Sequence, residues 1–138
     1  MIELARASYP NCTFEVASLT ALPFPDAAFD IAFSSGAIVH VPDYGKAITE
    51  VVRVARRHVI SHRMWVYPDG RPTQKFIEKL YGIEVLKVFM SERELERRFH
   101  ELGLRIVRSE GCLDAEEGAR GPYEAVVVKS YLLAKSLA

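Results

Sequence analysis

The stretch Phe29–Gly36, FDIAFSSG, constrains this chain more than any other. Phe29, Ile31, Ala32 and Phe33 form a short, near-continuous apolar run. Such a run suits a parallel strand covered by helices on both faces, because both sides of its pleat must then be buried. It is therefore expected to be a central strand of an α/β sheet. The run ends abruptly in Ser34, Ser35 and Gly36. In open α/β sheets, ligands bind in the crevice beyond the carboxyl ends of the strands, where strand order reverses. Two hydroxyls and a backbone free of Cβ stand where a polar ligand would sit. The same residues equally suit a plain strand-to-helix turn, with the hydroxyls satisfying local backbone.

The flanking segments supply the remaining elements. Met1–Tyr9 carries apolar residues at helical spacing and closes at Pro10-Asn11, so residue 1 already falls inside a helix. Thr13–Ala17 reads as a strand, and SLTALPFPD as a loop turning at Pro25-Asp26. Asp43 caps a helix whose stripe of Tyr44, Ala47, Ile48, Val51 and Val54/Ala55 runs to Arg57. HVISHRMWVY returns as a second buried strand. After the polar turn PDGRP, Phe76, Ile77, Leu80 and Tyr81 fit a short amphipathic helix ended by Gly82. Ser91 and Glu94 have capping-box spacing for a helix to Leu102, stopped by Gly103. Glu94/Arg98 and Arg97/Glu101 are spaced i,i+4 on a solvated face. LRIVRSEG is a strand, CLDAEEGARG a flexible acidic loop and YEAVVVKSYLLAK a final strand. This alternation predicts an α/β sheet, mostly parallel, with an antiparallel carboxyl-terminal strand.

Composition narrows the function classes. A chain of 138 residues, 49% hydrophobic, suits one domain spanning 1–138. Its 18 basic and 18 acidic residues cancel, so no net field draws nucleic acid or an anionic membrane. A small molecule or a protein is the expected partner. Cys12 and Cys112 are too few and too far apart for a disulfide framework or a zinc set, and read as core thiols in a reducing cytoplasm. No metal is expected. No stretch reaches the roughly 20 apolar residues of a membrane span, and no signal-peptide pattern is present. No G-x-S-x-G elbow accompanies Ser34 or Ser35, which argues against a hydrolase.

The block ALPFPDAAFDIAFSSGAIVHVPDYGKAITEVVRVAR resembles the central part of class I methyltransferases dependent on S-adenosylmethionine, in the branch that includes quinone-biosynthesis and other small-molecule enzymes. HVISHRMW resembles the next strand of that fold, and FMSERELERRFHELGLRIV its late helix and strand. The resemblance implies a Rossmann-like fold, S-adenosylmethionine as cofactor and a small-molecule methyl acceptor held under a variable segment, here Val66–Met90. Ser18 falls where the family usually has an acidic residue toward the adenine amino group, and the Leu19 backbone N–H would face the adenine ring. Ser34, Ser35 and Gly36 match the block beside the amino-acid part of the cofactor. Of the family's histidine pair, Val39 fills the first position and His40 remains. His40 is a candidate catalytic base or substrate contact, since imidazole is the side chain that titrates near neutrality. A turn histidine bonded to a backbone carbonyl fits that position as well. Trp65 and Tyr67 are candidate substrate contacts, and like Phe76 and Tyr81 they also suit a core.

The family's first two strands, the glycine-rich turn between cofactor and helix, and the acidic residue that grips the ribose find no match here. The glycines of this chain never occur as G-x-G, and glycine is what lets backbone amides approach a cofactor closely. The expectation is thus a fold truncated at its amino terminus, which by itself binds S-adenosylmethionine poorly. Two hypotheses follow. One is the carboxyl-terminal portion of a methyltransferase whose cofactor half is encoded upstream or supplied by another chain. The other is a non-catalytic remnant that self-associates or serves as an interaction subunit. A nicotinamide-dependent oxidoreductase would need the same glycine turn. An unpaired, apolar strand edge further predicts a homodimer with Thr13–Ser35 near its interface.

Overall fold

Residues 55–67 form the longest strand, and its two edges place the rest of the sheet. The computed structural model describes residues 1–113 and 121–136. Its elements are α1 (Ile2–Ser8), β1 (Phe29–Ser35), a 3-10 turn (Ile38–His40), α2 (Tyr44–Val54), β2 (Ala55–Tyr67), β3 (Gln74–Leu80), β4 (Ile83–Ser91), α3 (Glu92–Glu101), β5 (Leu104–Leu113), a second 3-10 turn (Gly121–Tyr123) and β6 (Val127–Lys135). β1 runs parallel to the first half of β2, with Ile31 opposite His58 and Ser35 opposite His62. On the other edge of β2 lies β6, antiparallel, and β5 pairs antiparallel with β6. The end of β2 pairs in parallel with β4, through Val66/Met90 and Tyr67/Ser91. The sheet is mixed and the fold α/β, with the antiparallel carboxyl-terminal strand that the sequence pattern predicts.

The apolar stripe of α2 turns inward: Ala47, Ile48, Val51, Val52 and Val54 are all buried. Asp43 caps it as expected, accepting from Lys46 N at 3.0 Å and so satisfying a first-turn N–H that has no partner inside the helix. Leu95 and Phe99 of α3 join the same core as Val59, Met64 and Val66 of β2 and Leu133 of β6. Fully burying each such side chain contributes about 1.5–3 kcal/mol. A smaller core of Tyr67, Phe89 and Val126 fills the base of the hairpin.

Several expectations are corrected. The segment around Phe76 is a strand, not a helix. β3 and β4 form a hairpin through Tyr81-Gly82, both at positive φ, 50° and 82°. Two left-handed residues make the tight turn whose twist matches paired strands, so Gly82 turns a hairpin instead of ending a helix. Thr13–Ala17 forms no strand: among the described residues none lies alongside to pair with it, and only a bridge between Ser18 and Ala21 marks that region. β1 is accordingly not central. Among the described residues it pairs with β2 alone, and Phe29, Ile31 and Phe33 are 42%, 54% and 63% exposed. α2 and α3 pack into one core, while α1 buries nothing, so this strand is not covered on both faces. Ser91 caps α3 without a side-chain bond. Glu94 instead accepts from Thr73 Oγ1, which itself accepts from Ser91 N. Cys12 is exposed and not a core thiol, and Cys112 is half-buried with its Sγ on Val128 O. The expected acidic loop lies, past Leu113, outside the described residues.

Candidate functional site

The carboxyl end of β1 is held by the ladder to β2, which continues one residue past the strand: Gly36 N donates to His62 O at 3.0 Å. Gly36 adopts φ +62°, a conformation glycine reaches without strain. Ser34 is buried and opposite Ser61, whereas Ser35 is exposed. Alternation along a strand forces that split: one hydroxyl faces the core and the next faces the crevice.

β2 breaks register with β6 between Ser61 and Met64. His62 and Arg63 form the resulting bulge, with Arg63 at φ +58°. A bulge re-aims the side chain it carries, and here Arg63 lines a cavity of about 200 Å3 together with Ser35, Gly36, His40 and Trp65. The sequence named four of these five separately, Ser35 and Gly36 for the cofactor and His40 and Trp65 for the substrate, and missed Arg63. The available signal was the polar triplet Ser61-His62-Arg63 between the apolar pair Val59-Ile60 and the apolar run Met64–Tyr67.

His40 sits on the 3-10 turn after β1, and its Nδ1 lies 2.7 Å from Leu86 O on β4. A carbonyl only accepts, so Nδ1 carries the proton, and in the neutral ring Nε2 holds the lone pair. The Trp65 ring packs edge-on to His40 at 5.2 Å. The hairpin thus fixes both the tautomer and the orientation of His40. Tyr67 is not part of this cluster. It is fully buried, and its hydroxyl donates to Pro122 O at 2.6 Å. Ser18 is likewise engaged in its own turn, 2.9 Å from Thr20 Oγ1. Leu19 packs against the main core.

The loop leading into β1 is clamped from α2. Arg53 donates through Nη1 to Phe24 O at 2.7 Å, through Nη2 to Leu22 O at 3.0 Å, and through Nε to Glu50 Oε1 at 2.8 Å. Glu50 also accepts from Leu22 N at 2.8 Å. The Arg53 hydrogen bond, then that from Leu22, hold the Glu50 carboxyl down at about 2. A larger cavity, about 620 Å3, lies between Tyr44 on α2, Thr73 and Lys75 around the start of β3, and Arg97 and Arg98 on α3. It shares no residue with the strand-end cluster. Among the described residues no His, Cys, Asp and Glu cluster is arranged to hold a metal, and no helix is long and apolar enough to cross a membrane.

The chain has a Rossmann-like α/β sheet with a polar crevice at its strand ends, the place where ligands bind in such sheets. Comparison with known proteins is more specific. Residues 1–60 match the methyltransferase domain family. An O-methyltransferase of Aspergillus nomiae is 27% identical over 113 residues, 77% of this chain and 50% of that protein. An O-methyltransferase of Pyrenophora dematioidea is 28% identical over 126 residues, 86% of this chain and 46% of that protein. The chain thus spans about half the length of these curated relatives. Among solved structures, an S-adenosylmethionine-dependent methyltransferase of Methanosarcina mazei superimposes with TM-score 0.74 at 17% identity, covering 99% of this chain and 78% of that one. A Burkholderia thailandensis N1-methyltransferase, solved with 1,6-didemethyltoxoflavin and S-adenosylhomocysteine, gives TM-score 0.64 at 18% identity, over 98% and 56%. The resemblance noted in the sequence holds: this is a methyltransferase-like chain with the fold of class I S-adenosylmethionine-dependent methyltransferases.

Proposed function

We propose that the chain forms the acceptor side and the amino-acid-tail side of an S-adenosylmethionine-dependent methyltransferase site acting on a small molecule, with a hydroxyl oxygen as the methylated atom. The observation that carries this is the convergence of Ser35, Gly36, His40 and Trp65 on one strand-end cavity, within and beside the block that matches the methyltransferase domain family. Gly36 offers open backbone to a ligand: a Cβ there would meet nothing nearer than 4.0 Å. His40, with a free Nε2, is the candidate base for an acceptor hydroxyl. The O-methyltransferase names of the two fungal relatives support oxygen as the acceptor atom.

In this proposal the ribose-gripping contacts come from polypeptide outside these 138 residues. The absence of G-x-G from the sequence and the outer edge of β1, open among the described residues, both favour that arrangement. The exposed Phe29, Ile31 and Phe33 would lie under the added segment, or at a homodimer contact in a cytoplasmic protein.

Amide NMR during titration with S-adenosylhomocysteine tests the assignment. Weak binding is expected, with shifts clustered at Ser18, Leu19 and Ser34–Gly36. Shifts clustered elsewhere, or none at millimolar ligand, would remove the cofactor assignment and favour a non-catalytic interaction subunit.

A further inference from the structure

We propose that Arg63 reads an anionic group on the methyl acceptor, so that the acceptor is a small planar carboxylic acid whose flat body lies against Trp65 and His40. The proposal rests on the methyltransferase reading and adds the substrate class. Its first support is the sign of the cavity wall. Ser35, Gly36, His40, Arg63 and Trp65 line it, and among the described residues no carboxylate does. The larger cavity beside α2 is mixed instead, with Asp43, Glu94 and Glu101 set among Lys75, Arg97 and Arg98.

The second support is the state of Arg63 itself. Arg53, Arg56 and Arg71 are each paired with a carboxylate. Arg63 takes part in no ion pair among the described residues, although a guanidinium offers a fork that matches a carboxylate in two parallel hydrogen bonds. The third is its backbone. A non-glycine residue at φ +58° is strained, and here the strain coincides with the bulge that sets this side chain at the mouth of the strand-end crevice. Such outliers persist where surrounding structure holds them, and they gather at ligand sites. The size of the cavity, about 200 Å3, suits a single small ring. Trp65 gives that ring an aromatic wall, with the His40 imidazole edge-on beside it.

Trp65 is the sole tryptophan of the chain, so its fluorescence reports this cavity directly. Titration with benzoate is expected to quench Trp65 saturably, and benzamide, the same ring without the charge, to bind about tenfold more weakly or worse. Arg63→Asn should weaken benzoate by about tenfold or more while leaving benzamide unchanged. Asparagine tolerates positive φ, so this variant keeps the bulge, which a melting curve checks. Arg63→Lys should retain part of the affinity, because the charge remains and the fork is lost. Equal affinity for benzoate and benzamide, no quenching by either, or wild-type benzoate binding in Arg63→Asn would each overturn the proposal. The comparison of the two probes on the unaltered protein needs no variant to fold. Quenching that depends on Arg63 supports the acid site even where the S-adenosylhomocysteine shifts fail, a failure that counts against the methyltransferase reading alone.

Discussion

A methyl group added at Gly36 should destabilise this protein, and the same methyl added at Gly45 should stabilise it. At Gly36 a new Cβ would stand 4.0 Å from Arg63 Cβ, and at Gly45 3.9 Å from Asp43 Oδ1. Both are ordinary van der Waals contacts, so crowding does not separate the two sites. The backbone does. Gly36 has φ +62°, and holding alanine in the left-handed region costs about 1–2 kcal/mol. Restricting the unfolded chain returns about 0.4–1 kcal/mol of that, which leaves a net loss of about 1 kcal/mol. Gly45 lies in the first turn of α2, where alanine is at ease and the gain is about 0.5 kcal/mol. The two variants should therefore differ by about 1.5 kcal/mol in urea unfolding at equal m-value. In thermal melts Gly36→Ala should lie about 3–5 °C below wild type. Gly36→Asn should fall between, since asparagine visits this region more readily. Gly36→Ala as stable as wild type, or both alanine variants shifting in the same direction, would refute the assignment of a left-handed turn at the strand end.

The other expectations follow from the clamp and the core. Glu50 titrates at about 2 against an ordinary 4.5, so its folded form favours the carboxylate. The stability it contributes is full above about 4.5 and is lost as pH falls toward 2. Thermal melts should show Glu50→Gln less stable than wild type near neutrality and flatter across that acid window; parallel profiles would mean the Arg53 clamp on the loop before β1 carries no stability. Tyr131, fully buried, donates to Glu92 Oε1 at 2.9 Å. Tyr131→Phe keeps the ring packing on Phe99 and should cost about 1.5–3 kcal/mol in urea unfolding, the usual range for a hydrogen bond to a charged group. No loss would show that Lys129, which bonds the same carboxylate oxygen, satisfies Glu92 without the tyrosine.

The elements legible in the sequence were those specified by neighbours along the chain. The α2 stripe, its Asp43 cap, the Gly103 stop and the strands β1, β2, β5 and β6 all follow from local periodicity and capping chemistry. The block Leu22–Arg57 also carried the family resemblance, because its loop, strand and helix are contiguous. Ser35 and Gly36 needed only the rule that ligands gather at strand ends, whereas His40 and Trp65 were named through the family resemblance.

Tertiary structure decided the rest. Residues 74–80 have apolar spacing compatible with a helix. They became a strand because β4 pairs with them along their whole length, and the partner arrives only after Tyr81-Gly82 has turned the chain. Thr13–Ala17 and β1 show the converse. Their apolar alternation suits strands, yet one has no neighbour among the described residues and the other has a single neighbour. A strand is a property of two segments, and one segment's sequence does not state whether its partner is at hand. Arg63 joined the site for a similar reason: the bulge that presents it arises from a register break between β2 and β6, segments more than sixty positions apart in the chain. The tautomer of His40 depends on Leu86 O, a backbone atom that no residue pattern marks. Sequence determined which segments are helical, apolar or polar; long-range pairing determined which of their groups meet.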